Sequence, residues 1–307
     1  MLEKELNRVD EAAVEAGPEQ VVASLPSRPG LWSRRTLRDN PRLVIGGILI
    51  LFIIALAVLA PVLPLQDPET GNGSKAYQPP GGQFLLGTDN VGRDVLSRVI
   101  WGSRVSLSVG LISVSIGLLF GGTLGVLAGY FGGWVDMIIS RLIDALLAFP
   151  ALLLAIAITS ALGPQLQNSM IAIGIVNIPV FARLARGQTL QIKNRDYIEA
   201  ARALGLRERR IVWRHILPNI VNIFIVQASL SIALAILAEA TLSFLGLGAQ
   251  PPTPTWGFDI NQARGYLSNN YWWMAIGPGA AIMITIFSFN LLGDSIRDIL
   301  DPRLRKR

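Results

Sequence analysis

The chain has 307 residues, 51% of them hydrophobic and only 16% charged, well under the roughly 25% of soluble domains, so it reads as a multispanning membrane protein. Cysteine is absent and His215 is the single histidine, which excludes disulfides, thiolate nucleophiles and Cys/His metal sites. The net charge of +6 comes from basic residues at the ends of apolar runs, a placement that serves membrane topology and argues against nucleic acid as a partner.

Residues 1–41 are polar and run into SRRTLRDNPR (33–42), with neither the apolar core nor the cleavage site of a secretory signal, and read as a tail. LVIGGILILFIIALAVLAPVL, residues 43–63, has the length of a first span. A loop rich in Gly, Pro and Asp follows. In VLSRVIWGSR, Val95, Leu96, Val99 and Ile100 share one helical face, which predicts a short interfacial helix leading into a second span near 105–128. GYFGGW lacks the Lys and hydroxyl residue of a phosphate cradle and reads as a tight turn. The third span is expected over 135–161 and the fourth over 168–187, joined by a link with Gly163 and Pro164. The fifth covers 220–243 and the sixth 272–293, with a loop between them that the Pro-rich QPPTPT stiffens.

The expected fold is therefore an all-α membrane protein of six transmembrane helices. Its parts are a tail over 1–41, a first helix with loop and interfacial helix over 42–104, a five-helix core over 105–295 that includes a charged loop at 190–218, and a tail over 296–307. Six spans leave both termini on one side, and 22 of the 27 Lys and Arg fall there, which makes that side cytoplasmic.

The sequence has no G-x-x-x-x-G-K-[ST], H-E-x-x-H or G-x-S-x-G, so neither nucleotide hydrolysis nor another enzymatic activity is expected of this chain, and no cofactor. Its most conspicuous polar feature is RDYIEAARALGLRERRIVWRHILPN, residues 195–219. Tyr197, Ile198, Ala201 and Leu204 fall at helical spacing, Ala200 and Ala203 keep the surface shallow, and Gly205 suits a left-handed cap. A second short helix is expected from Glu208 to Leu217, with Pro218 in the first turn of the fifth span. On spacing alone the unit serves equally well as a docking surface or as a solvated linker.

EAARALG followed by RHILPN resembles the cytoplasmic EAA loop of the membrane subunits of ATP-binding-cassette importers: Glu199, Ala200, Ala201, Gly205, Leu217 and Pro218 match, while His215 stands at the usual Ile position. LGTDNVGRDVLSRVIWG (86–102), LSFLGLGAQPPTPTWG (242–257) and FNLLGDSIRDILDPRLR (289–305) resemble the peptide-transporter branch of that family, in its second permease chain. The resemblance implies the type I importer permease fold and a translocation path shared with a homologous second permease. It also implies delivery by an external substrate-binding protein and two ATPase subunits, holding ATP and Mg, that dock on the EAA helices. Peptides are the implied substrate, with glutathione or nickel as the alternative within the same class.

Polar residues within the spans are candidates for the path. Arg141 and Asp144 lie i,i+3 on the third span and are expected to pair; Asn177 and Asn290 are expected either to pack between helices or to line the path. Glu239 has no basic residue within a turn, so it either faces the path or bonds a neighbouring helix or the second permease. A secondary transporter would call for paired broken helices in related halves, and no such repeat is visible; a sensor or scaffold could also use a cytoplasmic helix pair.

Overall fold

The computed structural model describes residues 40–300. Most of the two expected tails lies outside that range, and the compact helical unit starts at Arg42. Among the described residues the long elements are all helices. They run α1 Pro41–Leu59, α2 Val95–Phe131, α3 Gly133–Leu147, α4 Ala151–Leu162 and α5 Leu166–Lys193, then α6 Asp196–Ala203, α7 Glu208–Phe244, α8 Trp256–Arg264 and α9 Trp273–Leu300. Five of these, α1, α2, α5, α7 and α9, are long and apolar enough to cross a bilayer; α3 and α4 pass the same test only together, as a bent pair that makes a sixth span if the two count as one.

The expected third span over 135–161 is two helices, α3 and α4, bent by 88° at the break between them. Pro150 supplies the cause. It has no N–H to continue the ladder, it turns the preceding Phe149 away from helical geometry, and with ψ at 132° it starts α4 afresh.

Two other boundaries also differ from expectation. The expected interfacial helix and second span form one helix, α2, whose first turn is capped by Asp94 accepting from the Leu96 and Ser97 N–H groups at 3.2 Å. Its 37 residues reach about 55 Å, against a hydrocarbon core of about 30 Å, so part of α2 extends beyond the core. The short helix from Glu208 and the fifth span are likewise continuous, joined by a π turn over Val212–Ile216. Pro218 sits just past that turn, in the opening turn of the regular α segment Leu217–Phe244, where the wider winding tolerates a missing N–H.

The tightest packing joins α2 to α5. Gly121, Gly125 and Gly129 lie four apart on α2 and meet the backbone of Ile178, Ala182 and Arg186, also four apart, on α5. A Cβ at Gly125 would fall on the Ala182 carbonyl and 2.6 Å from the Ala185 Cβ, and one at Gly129 would lie 2.8 Å from the Arg186 carbonyl oxygen. This is the small-residue contact that lets helices approach where water supplies no hydrophobic drive. By contrast, α1 touches α9 at Gly46 and presents Ile48, Leu51 and Phe52 outward.

At the end of the bundle far from α6, the loop before α2 and the loop carrying α8 interlock. Arg98 donates through Nε and Nη2 to Asp259 at 2.8 and 2.5 Å, and through Nη1 to the Pro68 carbonyl at 2.7 Å. Arg93 pairs with Asp89 at 2.6 Å and reaches Gln262 at 2.8 Å, while Trp256 donates to the Val99 carbonyl at 2.9 Å. Two of the stretches singled out in the sequence, 86–102 and 242–257, are thus one structural unit.

Burial pushes the Asp259 carboxyl up to about 6, against the opposing pull of Arg98. Its folded value exceeds its ordinary one, so the acid costs stability as pH rises through 6 and the Arg98 guanidinium limits that cost. Arg98→Met should therefore lower stability by about 3–5 kcal/mol at pH 8, where the carboxylate is stranded, and by clearly less at pH 5, where it takes up a proton. Thermal unfolding of both proteins at the two pH values checks this; an equal loss at both would contradict it.

Candidate functional site

The charged loop folds as a helix, a glycine and a helix. Gly205, at φ +75°, ends α6, with its own N–H bonded to the Arg202 carbonyl at 2.9 Å and the Leu206 N–H to the Ala201 carbonyl at 3.1 Å. Those two bonds are the paired closure that a left-handed residue makes possible at a helix end. Ile198 is fully buried against a cluster with Ile211, Ile216 and Ile220, so α6 is clamped to the start of α7.

This local seat also fixes which face is free. Ile198 and Ala201 point inward, whereas Tyr197, Glu199, Ala200, Ala203 and Leu204 face out, Leu204 with 80% of its surface exposed. Of the six residues matched to the EAA loop, Glu199, Ala200, Gly205 and Pro218 are exposed, Leu217 is half-buried, and Ala201 supports the seat from below. The unit is tied to the membrane helices through Tyr130 near the end of α2, whose hydroxyl donates to Glu208 and whose carbonyl accepts from Lys193 Nζ at 2.6 Å. The Arg202 guanidinium lies 5.8 Å from the Tyr130 ring. A push on α6 thus has direct contacts to α2, α5 and α7.

Next to this unit, α2, α3 and α5 enclose a groove of about 450 Å³ lined by Ser140, Ile143, Asp144, Ala182, Arg183 and Arg186 among others. Two ion pairs cross it. Arg186 grips Asp136 with Nε and Nη2 at 2.5 and 2.7 Å, and Arg183 Nη2 meets Asp144 at 2.9 Å. The first pair is half-buried; in the second, Arg183 is 62% and Asp144 53% exposed.

The expected Arg141–Asp144 pair is corrected by this arrangement, since Asp144 pairs across helices with Arg183. A base three residues before an acid is the weaker order on a helix, and a facing guanidinium outcompetes it. Glu239 is fully buried at the α7–α8 contact beside Asp259, where Oε1 accepts from Ser243 Oγ at 2.7 Å and Oε2 has no hydrogen-bond partner among the described residues. Asn177 donates to the Ile173 carbonyl of its own helix at 2.9 Å, and Asn290 is half-buried on α9. Neither these two nor Glu239 lines the groove. Asp136, Arg183 and Arg186, whose ion pairs cross it, are not among the sequence candidates, because in the sequence the two arginines group with the basic loop that follows α5. A signal exists all the same: both precede the end of the apolar run.

Comparison with known proteins gives the family and the fold. Residues 121–306 match the family "Binding-protein-dependent transport system inner membrane component", and residues 30–80 match "N-terminal TM domain of oligopeptide transport permease C". The "Dipeptide transport system permease protein DppC" of Alkalihalophilus pseudofirmus is 44% identical over 88% of this chain and 89% of that protein. The "Glutathione transport system permease protein GsiD" of Pectobacterium atrosepticum is 45% identical over 89% and 90%. Among solved structures, a chain of the MetNI methionine ABC transporter in an inward-facing conformation aligns with a TM-score of 0.54 at 20% identity, covering 66% of this chain and 97% of its own length. The fold is that of a type I ABC importer permease, and the chain belongs to the family of inner-membrane components of binding-protein-dependent transport systems.

Proposed function

We propose that this chain is the membrane-spanning permease subunit of an ATP-driven, binding-protein-dependent importer of di- or oligopeptides, and that α6 with Gly205 is where an ATPase subunit docks. The observation that carries the coupling role is the rigid seat of α6. Its inner face is locked to α7 and Tyr130, its outer face is open, and so a displacement there moves whole helices rather than a loose loop. A homologous second permease completes the path, an external binding protein delivers substrate, and ATP with Mg²⁺ binds in two ATPase partners, in keeping with the missing P-loop. In this reading both termini and α6 are cytoplasmic.

Several relatives carry dipeptide transport in their names and one carries glutathione transport; glutathione is therefore the second reading. Reconstituted with its partners, the complex should take up labelled dipeptide in an ATP-dependent way, with unlabelled dipeptide competing better than glutathione. Glutathione as the better competitor would select the second reading. The purified chain alone should hydrolyse no ATP. For topology, a cysteine at Ser74 should react with an impermeant thiol reagent from outside and one at Ala203 should not; the reverse pattern would overturn the orientation.

A further inference from the structure

The depth of the Asp144–Arg183 pair decides what its surroundings can be. Helix α5 has 28 residues and spans about 42 Å, some 12 Å more than the hydrocarbon core. Arg183 lies about 15 Å from the nearer end of α5, so even with all of that excess at this end it sits at the edge of the core, about 3 Å inside it. Asp144 on α3 is held at the same level by its contact with Arg183 Nη2 at 2.9 Å. Two charges more than half exposed on membrane-crossing segments face water or protein by default rather than lipid tails.

The two pairs along the groove differ in kind. Asp136–Arg186 is two-pronged and less exposed, so it acts as a fixed brace. Asp144–Arg183 is a single hydrogen bond that uses one of the five donors of the guanidinium and one carboxylate oxygen, which leaves both groups able to take a new partner. We propose that this pair opens to hold a zwitterionic peptide, Asp144 receiving the terminal ammonium and Arg183 the terminal carboxylate. The exchange keeps the groove neutral when empty and when filled, so no net charge is stranded in a medium of low dielectric. A groove of about 450 Å³ also falls within the roughly 300–1,000 Å³ range of small-ligand sites. The proposal rests on the peptide-importer reading and names the residues of this chain that touch the substrate.

The test uses the whole reconstituted complex with radiolabelled alanyl-alanine as the probe. Arg183→Gln and Asp144→Asn should each cut uptake at least about tenfold, the scale of one charged hydrogen bond, while assembly and the stimulation of ATP hydrolysis by the binding protein stay within about twofold. The exchanged double variant, Asp144→Arg with Arg183→Asp, restores an ion pair but reverses its polarity toward a peptide delivered in one orientation. It should therefore assemble and still transport poorly; recovered uptake would make the pair a structural clip and overturn the proposal. The chain has no cysteine, so Ser140→Cys, which leaves the pair intact, gives an independent readout even if the charge variants fail to assemble. Its thiol should react with a water-soluble maleimide and be protected by saturating dipeptide. No reaction, or reaction indifferent to dipeptide, would overturn the proposal. A wild-type complex that carries no peptide defeats the importer reading and this proposal together, whereas uptake unaffected by these changes defeats this proposal alone.

Discussion

Gly125→Ala, the addition of one methyl group, should destabilise the bundle by about 1–3 kcal/mol, and Gly125→Leu should abolish recovery of folded protein. The reason is the contact between α2 and α5: a Cβ at Gly125 has the Ala182 carbonyl and the Ala185 methyl in its place, and backbone atoms cannot rotate out of the way as a side chain can. Forcing the helices apart would also loosen Gly121 and Gly129 against Ile178 and Arg186, and with them the groove that Arg183 and Arg186 line. Gly279 supplies the control, because it lies inside α9 and no described residue would come within 4 Å of a Cβ there; Gly279→Ala should be neutral or slightly stabilising. Unfolding midpoints in detergent compare Gly125→Ala and Gly279→Ala with wild type, and the yield of folded protein reads Gly125→Leu. Equal midpoints for Gly125→Ala and Gly279→Ala would contradict the close packing of α2 on α5.

Gly205→Val should separate ATP hydrolysis from transport. At φ +75° a β-branched residue is strained by about 1 kcal/mol or more, which exceeds what a short exposed turn easily absorbs. No described residue lies within 4 Å of the added Cβ, so the effect comes from backbone conformation and from bulk on the outer face. The six spans should insert as before. Ala203→Trp adds bulk on the exposed side of α6 without touching the cap and should act in the same direction. Ala201→Trp is a different experiment, because Ala201 is only 7% exposed and a large side chain there would lift α6 from its seat.

Local features of this fold were legible in the sequence, and features that depend on partners distant in the chain were not. The cap at Gly205 needs only a helix that ends and a glycine that follows, and both are visible in EAARALGL. The broken third span is also written locally, at Phe149–Pro150, but a count of apolar residues runs across it. Gly121, Gly125 and Gly129 carry a four-residue period that can be read without a structure, although only α5 shows what it is for. The inward face of α6 is ambiguous in the sequence because an eight-residue helix with apolar residues on two sides does not say which side has a core beneath it. Arg183 and Asp144 lie beyond any local reading: they are 39 residues apart, and their pairing depends on the packing of α3 against α5.

The measurement that bears most directly on the coupling role of residues 195–219 is the number of labelled dipeptides taken up per ATP hydrolysed, determined in the same vesicles. Wild-type complex should show a fixed ratio, and Gly205→Val and Ala203→Trp should either lose the ATPases on purification or hydrolyse ATP with that ratio reduced at least about tenfold, the loss of one good docking contact. A wild-type ratio in both variants, with the ATPases retained, would mean that the α6–Gly205–α7 unit is a solvated linker and that force enters the membrane helices elsewhere.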